Sequence, residues 1–327
     1  MPTREIGMSG IRATAVGLGT WAIGGWMWGG TDEAESIAAI QASIDAGVTL
    51  VDTAPAYGMG RSEEIVGKAL EGRRDRVVLA TKCGLVWHTQ SGRHFFDQGG
   101  RPVHRYLGPE SIAHEVEQSL RRLRTDHIDL YITHWQDPTT PIAETMGALE
   151  ELRSAGKIGA IGASNVSAAD VEAYVAAGRL DALQEQYSMV HSDIEADLLP
   201  LALEHSISVL SYSSLALGLL TGKIGPGRTF EGDDLRINDP RFSEANRRKV
   251  VDFVAEVQPI ADARGVSIAQ LVIAWTICRP GITFALCGAR NPAQALENAS
   301  AGAITLDGTE LDRITASAAR HLADIHA

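Results

Sequence analysis

Eight short apolar runs recur along this chain, separated by segments whose apolar residues repeat at helical spacing, and no other feature constrains the fold as much. The runs lie at residues 15–18, 50–52, 77–81, 128–133, 158–163, 182–186, 207–212 and 282–286. Continuous apolar stretches of this length suit parallel strands buried on both faces. Helical patterns fall at 32–46, 63–70, 110–123, 142–155, 168–177 and 194–205, with a last one at 307–321. Pro109 and Glu110 give one helix a rigid first turn and an acid at the positive end of its dipole. Gly156 ends another, and Gly47 and Gly178 follow their helices where a left-handed closing residue is wanted. Strand and helix alternating eight times over 327 residues predict one (β/α)8 TIM barrel spanning 1–327. A doubly wound nucleotide-binding sheet fits less well, because the Gly-rich stretch 17–30 has no GxGxxG opening a helix.

Three segments exceed a minimal barrel. Residues 1–14 predict a hairpin across the barrel floor, 86–107 form an insertion after the third strand, and 221–242 form a Gly-, Pro- and Asp-rich loop after the seventh. Long loops inside a compact domain are commonly functional or mobile. The insertion carries Trp87, His88, His94, Phe95, Phe96, His104 and Tyr106, which predict a roof over a substrate larger than a triose.

With 45% apolar and 21% charged residues the chain can bury a large core, and a net charge of −12 argues against nucleic acid or an anionic membrane as partner. Cys83, Cys278 and Cys287 lack CxxC spacing, so they are expected as reduced thiols of a cytoplasmic protein. Residues 1–14 contain no apolar signal-peptide core, and no run approaches 18 apolar residues.

Asp52, Tyr57, Lys82 and His134 each sit just past one of the first apolar runs, and Ser164, Asn165, Tyr212 and Arg290 repeat that placement further on. In a barrel the C-terminal strand ends converge on one face, so an acid, a phenol, an amine and an imidazole meet there. An ammonium near a phenol lowers its pKa, and a buried carboxylate can hold that ammonium in place. A neighbouring histidine can orient a carbonyl or share its proton. The set suits carbonyl reduction.

The motifs VDTAPAYGMGRSEEIVGKAL (51–70), LATKCG (79–84), SLRRLRTDHIDLYITHWQDP (119–138), GKIGAIGASNVS (156–167), SYSSLALGLLTGK (211–223) and GARNPAQALENA (288–299) resemble the aldo-keto reductase family from the first strand to the last helix. Their order and spacing are similar to those of bacterial vegetative-stress and inositol-catabolism reductases. The resemblance implies a tetrad of Asp52, Tyr57, Lys82 and His134, with Tyr57 as general acid. It also implies NADPH/NADP+ lying extended across the barrel mouth, near Gly19, Thr20, Trp21 and Asp52. Ser164, Asn165 and Gln184 would bind the carboxamide and Tyr212 would stack on the ring, beside Ser213 and Leu215. Gly218, Gly222 and Lys223 would approach the pyrophosphate; Gly288, Ala289, Arg290, Gln294, Glu297 and Asn298 would hold the adenosine ribose and base. A guanidinium fork suits a 2′-phosphate, which assigns that anion to Arg290; Gly288 and Gln294, where stronger phosphate binders add a cation, leave NADH possible. Trp21, Trp87 and His134 would line the substrate pocket. The same residues serve an NAD(P)-linked dehydrogenase oxidising a sugar, inositol or polyol hydroxyl, and an intact tetrad also occurs in nucleotide-sensing partners such as potassium-channel β subunits. A monomer or weak homo-oligomer acting on a small carbonyl or alcohol is expected.

Each residue also has a plainer role open to it. Asp52 and Lys82 could be a buried ion pair alone, Trp21, Trp26 and Trp28 barrel-end packing, and Arg290 a surface salt bridge. His88, His94 and His104 match no metal-ligand spacing, so no metal is expected and they read as solvated loop histidines. Cys83 reads as an inert core thiol. No HxH pair follows the first strand, which sets aside a metal-dependent hydrolase on the same barrel.

Overall fold

Side chains alternate across a strand, so two residues beyond an axis-facing apolar residue lies another axis-facing position. The structure, a computed structural model, describes residues 1–325 and closes eight parallel strands into a TIM barrel. The barrel strands are Val16–Gly19, Leu50–Asp52, Val78–Cys83, Ile128–Thr133, Ile158–Ser164, Ala182–Gln186, Ser208–Tyr212 and Phe284–Gly288. Every run expected as a strand is one, displaced by two residues or fewer at its ends. The eighth pairs with the first, Leu286 opposite Gly17, and seals the ring. Leu50, Ala80, Leu130, Ile132, Ala160, Ala182, Leu210, Phe284 and Leu286 fill the interior in one buried cluster. Two positions above Leu50, Ala80, Ala182 and Leu210 come Asp52, Lys82, Gln184 and Tyr212, so the packing of the core aims them at the mouth.

The N-terminal hairpin, Thr3–Glu5 with Arg12–Thr14, closes the floor as expected. Ile6 and Ala13 join the interior cluster. Arg4 bonds the carbonyls of Ile277, Ile282 and Thr283, and the Gly7 amide donates to the Ser208 hydroxyl.

Most outer helices match the sequence pattern: Glu33–Asp45, Arg61–Ala69, Pro109–Leu123, Ile142–Ser154, Ala168–Ala177 and Gly308–His321. The helix expected at 194–205 is interrupted; a single turn, Asp193–Glu195, precedes Leu198–Glu204. Pro200 has no amide hydrogen to continue a ladder from below, and the Asp197 carboxylate starts the second piece by accepting from the Leu198 amide. Gly156 and Gly47 take positive φ as expected. Gly178 does not: it is extended at φ 174°, and a Cβ there would lie 2.9 Å from Met146. Close packing, not a left-handed turn, explains that glycine.

Three helices carry no clear signal in the sequence pattern: Glu244–Arg264, Ile268–Ile277 and Pro292–Ala301. The first contains Pro259, ordinarily a breaker. In the second every residue but Gln270 is buried, so no amphipathic stripe exists. The insertion is likewise no irregular loop: Arg93–Gln98 and Arg101–Arg105 form a hairpin, with Leu85–Val86 as a third strand. Among the described residues no single helix is long and apolar enough to cross a membrane.

Candidate active site

The mouth of the barrel holds a buried ion pair with all its valences filled. Lys82 Nζ donates to Asp52 Oδ1 and Oδ2 at 2.9 and 2.8 Å and to the Thr53 carbonyl at 2.9 Å, and both side chains are almost fully buried. Gln184 Nε2 donates to the same carboxylate at 2.8 Å. The Thr20 amide and hydroxyl both bond the Asp52 carbonyl, locking the first strand's loop to the second strand.

Tyr57 leans on this pair: Lys82 Nζ lies 5.0 Å from the centre of its ring. His134 meets the same ring edge-on, with centroids 5.7 Å apart. The four tetrad candidates are thus brought together, but the expected acidification of Tyr57 is not found. Burial and the Asp52 charge hold its phenol well above the ordinary range. Burial also lowers the Lys82 pKa, against the opposing pull of Asp52. Desolvation, helped by Lys82, drives the His134 imidazole well below its usual value, leaving it neutral. A protonated phenol beside a neutral imidazole offers two hydrogen-bond donors to one oxygen.

From Tyr57 a cleft of about 470 Å³ runs outward. Gly19, Thr20, Trp21, Tyr212, Ser213, Leu215, Gly218, Lys223, Gly288, Arg290, Gln294, Glu297 and Asn298, all expected as cofactor contacts, line it. A Cβ added to Gly19 or Gly288 would meet no protein atom nearer than 3.9 Å, so these glycines leave room for a ligand. At the outer end stand Lys223, Arg228, Arg236 and Arg290. Arg236 is held by Asp234 and Lys223 by Glu297, so Arg228 and Arg290 are the cations of this end without an ion-pair partner among the described residues, and they favour an anion there.

Other expected residues act from behind the lining. Ser164 donates to the Gln184 carbonyl; Asn165 donates to the His134 carbonyl at 2.9 Å and accepts from the Tyr212 hydroxyl at 2.8 Å. Gly222 packs against Ile268, and Ala289 lies in the core. Trp87 does not reach the cleft lining; it packs beneath the hairpin with Ala56, Leu85, Val103, Phe96 and Trp135. Trp26 stacks on Phe96 of the hairpin at 5.3 Å, and Trp28 lines the cleft, edge-on to Trp21 at 5.4 Å. His104 is buried rather than solvated, and the His88 ring packs 4.3 Å from His114. Among the described residues no His, Cys, Asp and Glu group could hold a metal. Burial keeps the Cys83 thiol protonated, as expected of an inert core residue.

Sequence reasoning missed Arg228, Phe230 and Arg236, and left Trp28 between barrel-end packing and a pocket wall. Loop composition marks their segments but not their partners. Arg290 donates to the Trp28 and Gly30 carbonyls at 3.1 and 2.7 Å, Asp233 accepts from the Met27 and Gly29 amides, and Arg236 covers the rings of Trp28 and Phe230. The loops after the first and seventh strands are thereby joined over the cleft. Lys223 is paired with Glu297 at 2.6 Å.

The sequence model of the aldo/keto reductase family matches residues 15–319. Aldo-keto reductase YhdN of Bacillus subtilis (strain 168) is 46% identical over 90% of this chain and 86% of its own length. The NADH-specific methylglyoxal reductase of Escherichia coli (strain K12) is 42% identical over 93% and 94%. A glycerol dehydrogenase structure from Gluconobacter oxydans superposes with a TM-score of 0.88 at 39% identity, covering 99% of this chain and 97% of that one.

Proposed function

Because the chain belongs to the aldo/keto reductase family, we propose that it is a nicotinamide-dependent reductase of aldehydes, ketones or keto-sugars, with NADPH preferred and NADH accepted. One observation carries this: a single cleft joins Tyr57, whose ring His134 meets edge-on from behind the lining, to the basic side chains of Lys223, Arg228, Arg236 and Arg290. A bound nicotinamide supplies the hydride. Tyr57, kept protonated by burial, gives its proton to the carbonyl oxygen, while neutral His134 donates a second hydrogen bond to that oxygen. Asp52 and Lys82 form a fixed charge pair under the phenol ring. Tyr212 offers a ring face, and a carboxamide would exchange for the bonds that Ser164, Asn165 and Gln184 make here to Gln184, His134 and Asp52. Arg290 keeps N–H groups beyond the two given to loop carbonyls, and with Arg228 and Arg236 these favour a 2′-phosphate. The NADH-specific name of the Escherichia coli relative supports acceptance of NADH. Trp21, Trp28 and Tyr57 wall the substrate end.

The glycerol dehydrogenase neighbour favours a second direction, oxidation of a polyol hydroxyl by the same residues. A panel of aldehydes, diketones, pyridoxal-like aldehydes, keto-sugars and polyols, run with NADPH, NADP+, NADH and NAD+ and followed at the nicotinamide absorbance, decides between them. We expect fastest turnover for a carbonyl with NADPH. Tight nucleotide binding without turnover in either direction would overturn the enzyme reading and favour a nucleotide sensor.

A further inference from the structure

Glu185 lies on the sixth barrel strand between Gln184 and Gln186, so it points away from the axis, into the layer under the outer helices. It is 5% exposed, and among the described residues no basic side chain pairs with it. Its carboxyl is instead bonded by the backbone: Val166 N donates to Oε1 at 3.1 Å. The charged groups around it do not help, since Asp197 is its acidic neighbour. A buried carboxyl without a cation is costly, and the amide that bonds this one belongs to the turn after the fifth strand, one residue past Asn165.

That turn is unusual. Asn165 stands at φ +56°, a left-handed conformation most residues avoid. From there its side chain reaches three strand ends, donating to the His134 carbonyl and the Ser164 hydroxyl and accepting from Tyr212. Glu185 Oε1 is the acceptor of the Val166 amide, the next residue after Asn165, so the carboxyl and the Asn165 side chain hold one turn from its two sides.

We propose that Glu185 is a positioning residue: by holding the Val166 amide it fixes the turn that carries Asn165, and with it the Asn165 side chain beside a nicotinamide carboxamide. This inference depends on the nicotinamide assignment above. Its test compares dissociation constants, by calorimetry, for NADPH and for 2′,5′-ADP, which carries the phosphate-bearing adenosine but no nicotinamide. Glu185→Ala is expected to weaken NADPH about tenfold and to leave 2′,5′-ADP within about twofold. Glu185→Gln, whose amide oxygen still accepts, is expected to restore NADPH affinity to within about threefold of wild type. Equal weakening of both ligands by Glu185→Ala, unchanged NADPH affinity, or a Gln variant as impaired as the Ala variant would overturn the positioning role. Failure of the wild-type protein to bind NADPH or NADH would overturn the nicotinamide assignment, and this role with it.

Discussion

At the Tyr57 end of the cleft, Asp52 and Lys82 hold one another inside the barrel, on strands whose register leaves no freedom. At the Arg290 end the cations sit on loops and are held by carbonyls, by aromatic faces and by partly exposed ion pairs such as Lys223 with Glu297. On the proposed reading, proton transfer would be fixed by the core, whereas nucleotide grip would be set by side chains that change without disturbing it. Substitutions at the first end should therefore abolish chemistry and spare binding, and those at the second should do the reverse.

The sharpest break comes from Tyr57→Phe, which deletes one oxygen at the rigid end. Turnover should fall about 10²–10⁴-fold while NADPH affinity, read by fluorescence titration, stays within about twofold. Near-wild-type turnover would end the general-acid assignment. At the other end, Arg290→Ala removes a guanidinium and its hold on the Trp28 and Gly30 carbonyls. NADPH binding should weaken about tenfold or more, NADH clearly less, and equal losses would remove the phosphate role.

The smallest effect concerns stability near the rigid end. Glu115, beneath the third strand, accepts from the Gly84 amide at 2.9 Å and the Ser111 hydroxyl at 3.2 Å, and burial pushes its carboxyl up to about 8 from 4.5. Between those values the folded protein keeps a proton that the unfolded chain has released, so stability is greatest at low pH, declines through this window and levels off above about pH 8. Glu115→Gln cannot ionise. Thermal melts should show the wild type losing a few degrees relative to this variant between pH 5 and pH 8. Parallel curves would contradict it. Glu185, also raised to about 8, adds to the same slope in both proteins.

Much of the barrel was legible in the chain because buried parallel strands are uninterrupted apolar runs, and because Asp52, Lys82 and Tyr212 follow such runs directly. Legibility failed where burial is complete on every side, as in Ile268–Ile277, and where a residue's role depends on a distant partner. Trp87 looks like a pocket wall by composition, yet hairpin pairing turns it under Phe96 and Trp135. Arg236 is one of many surface arginines until the loop after the seventh strand lays it across Trp28.

Local pattern by itself determined the eight strands, most of the helices and which polar residues stand at the strand ends, since periodicity and propensity act over a few neighbours. Only the closed barrel decided that Lys82 chelates Asp52, that burial and the Asp52 charge leave Tyr57 a weak acid, and that the Glu185 carboxyl meets the Val166 amide. Those outcomes depend on desolvation and on contacts between residues far apart in the chain, and neither exists until the ring of strands has closed.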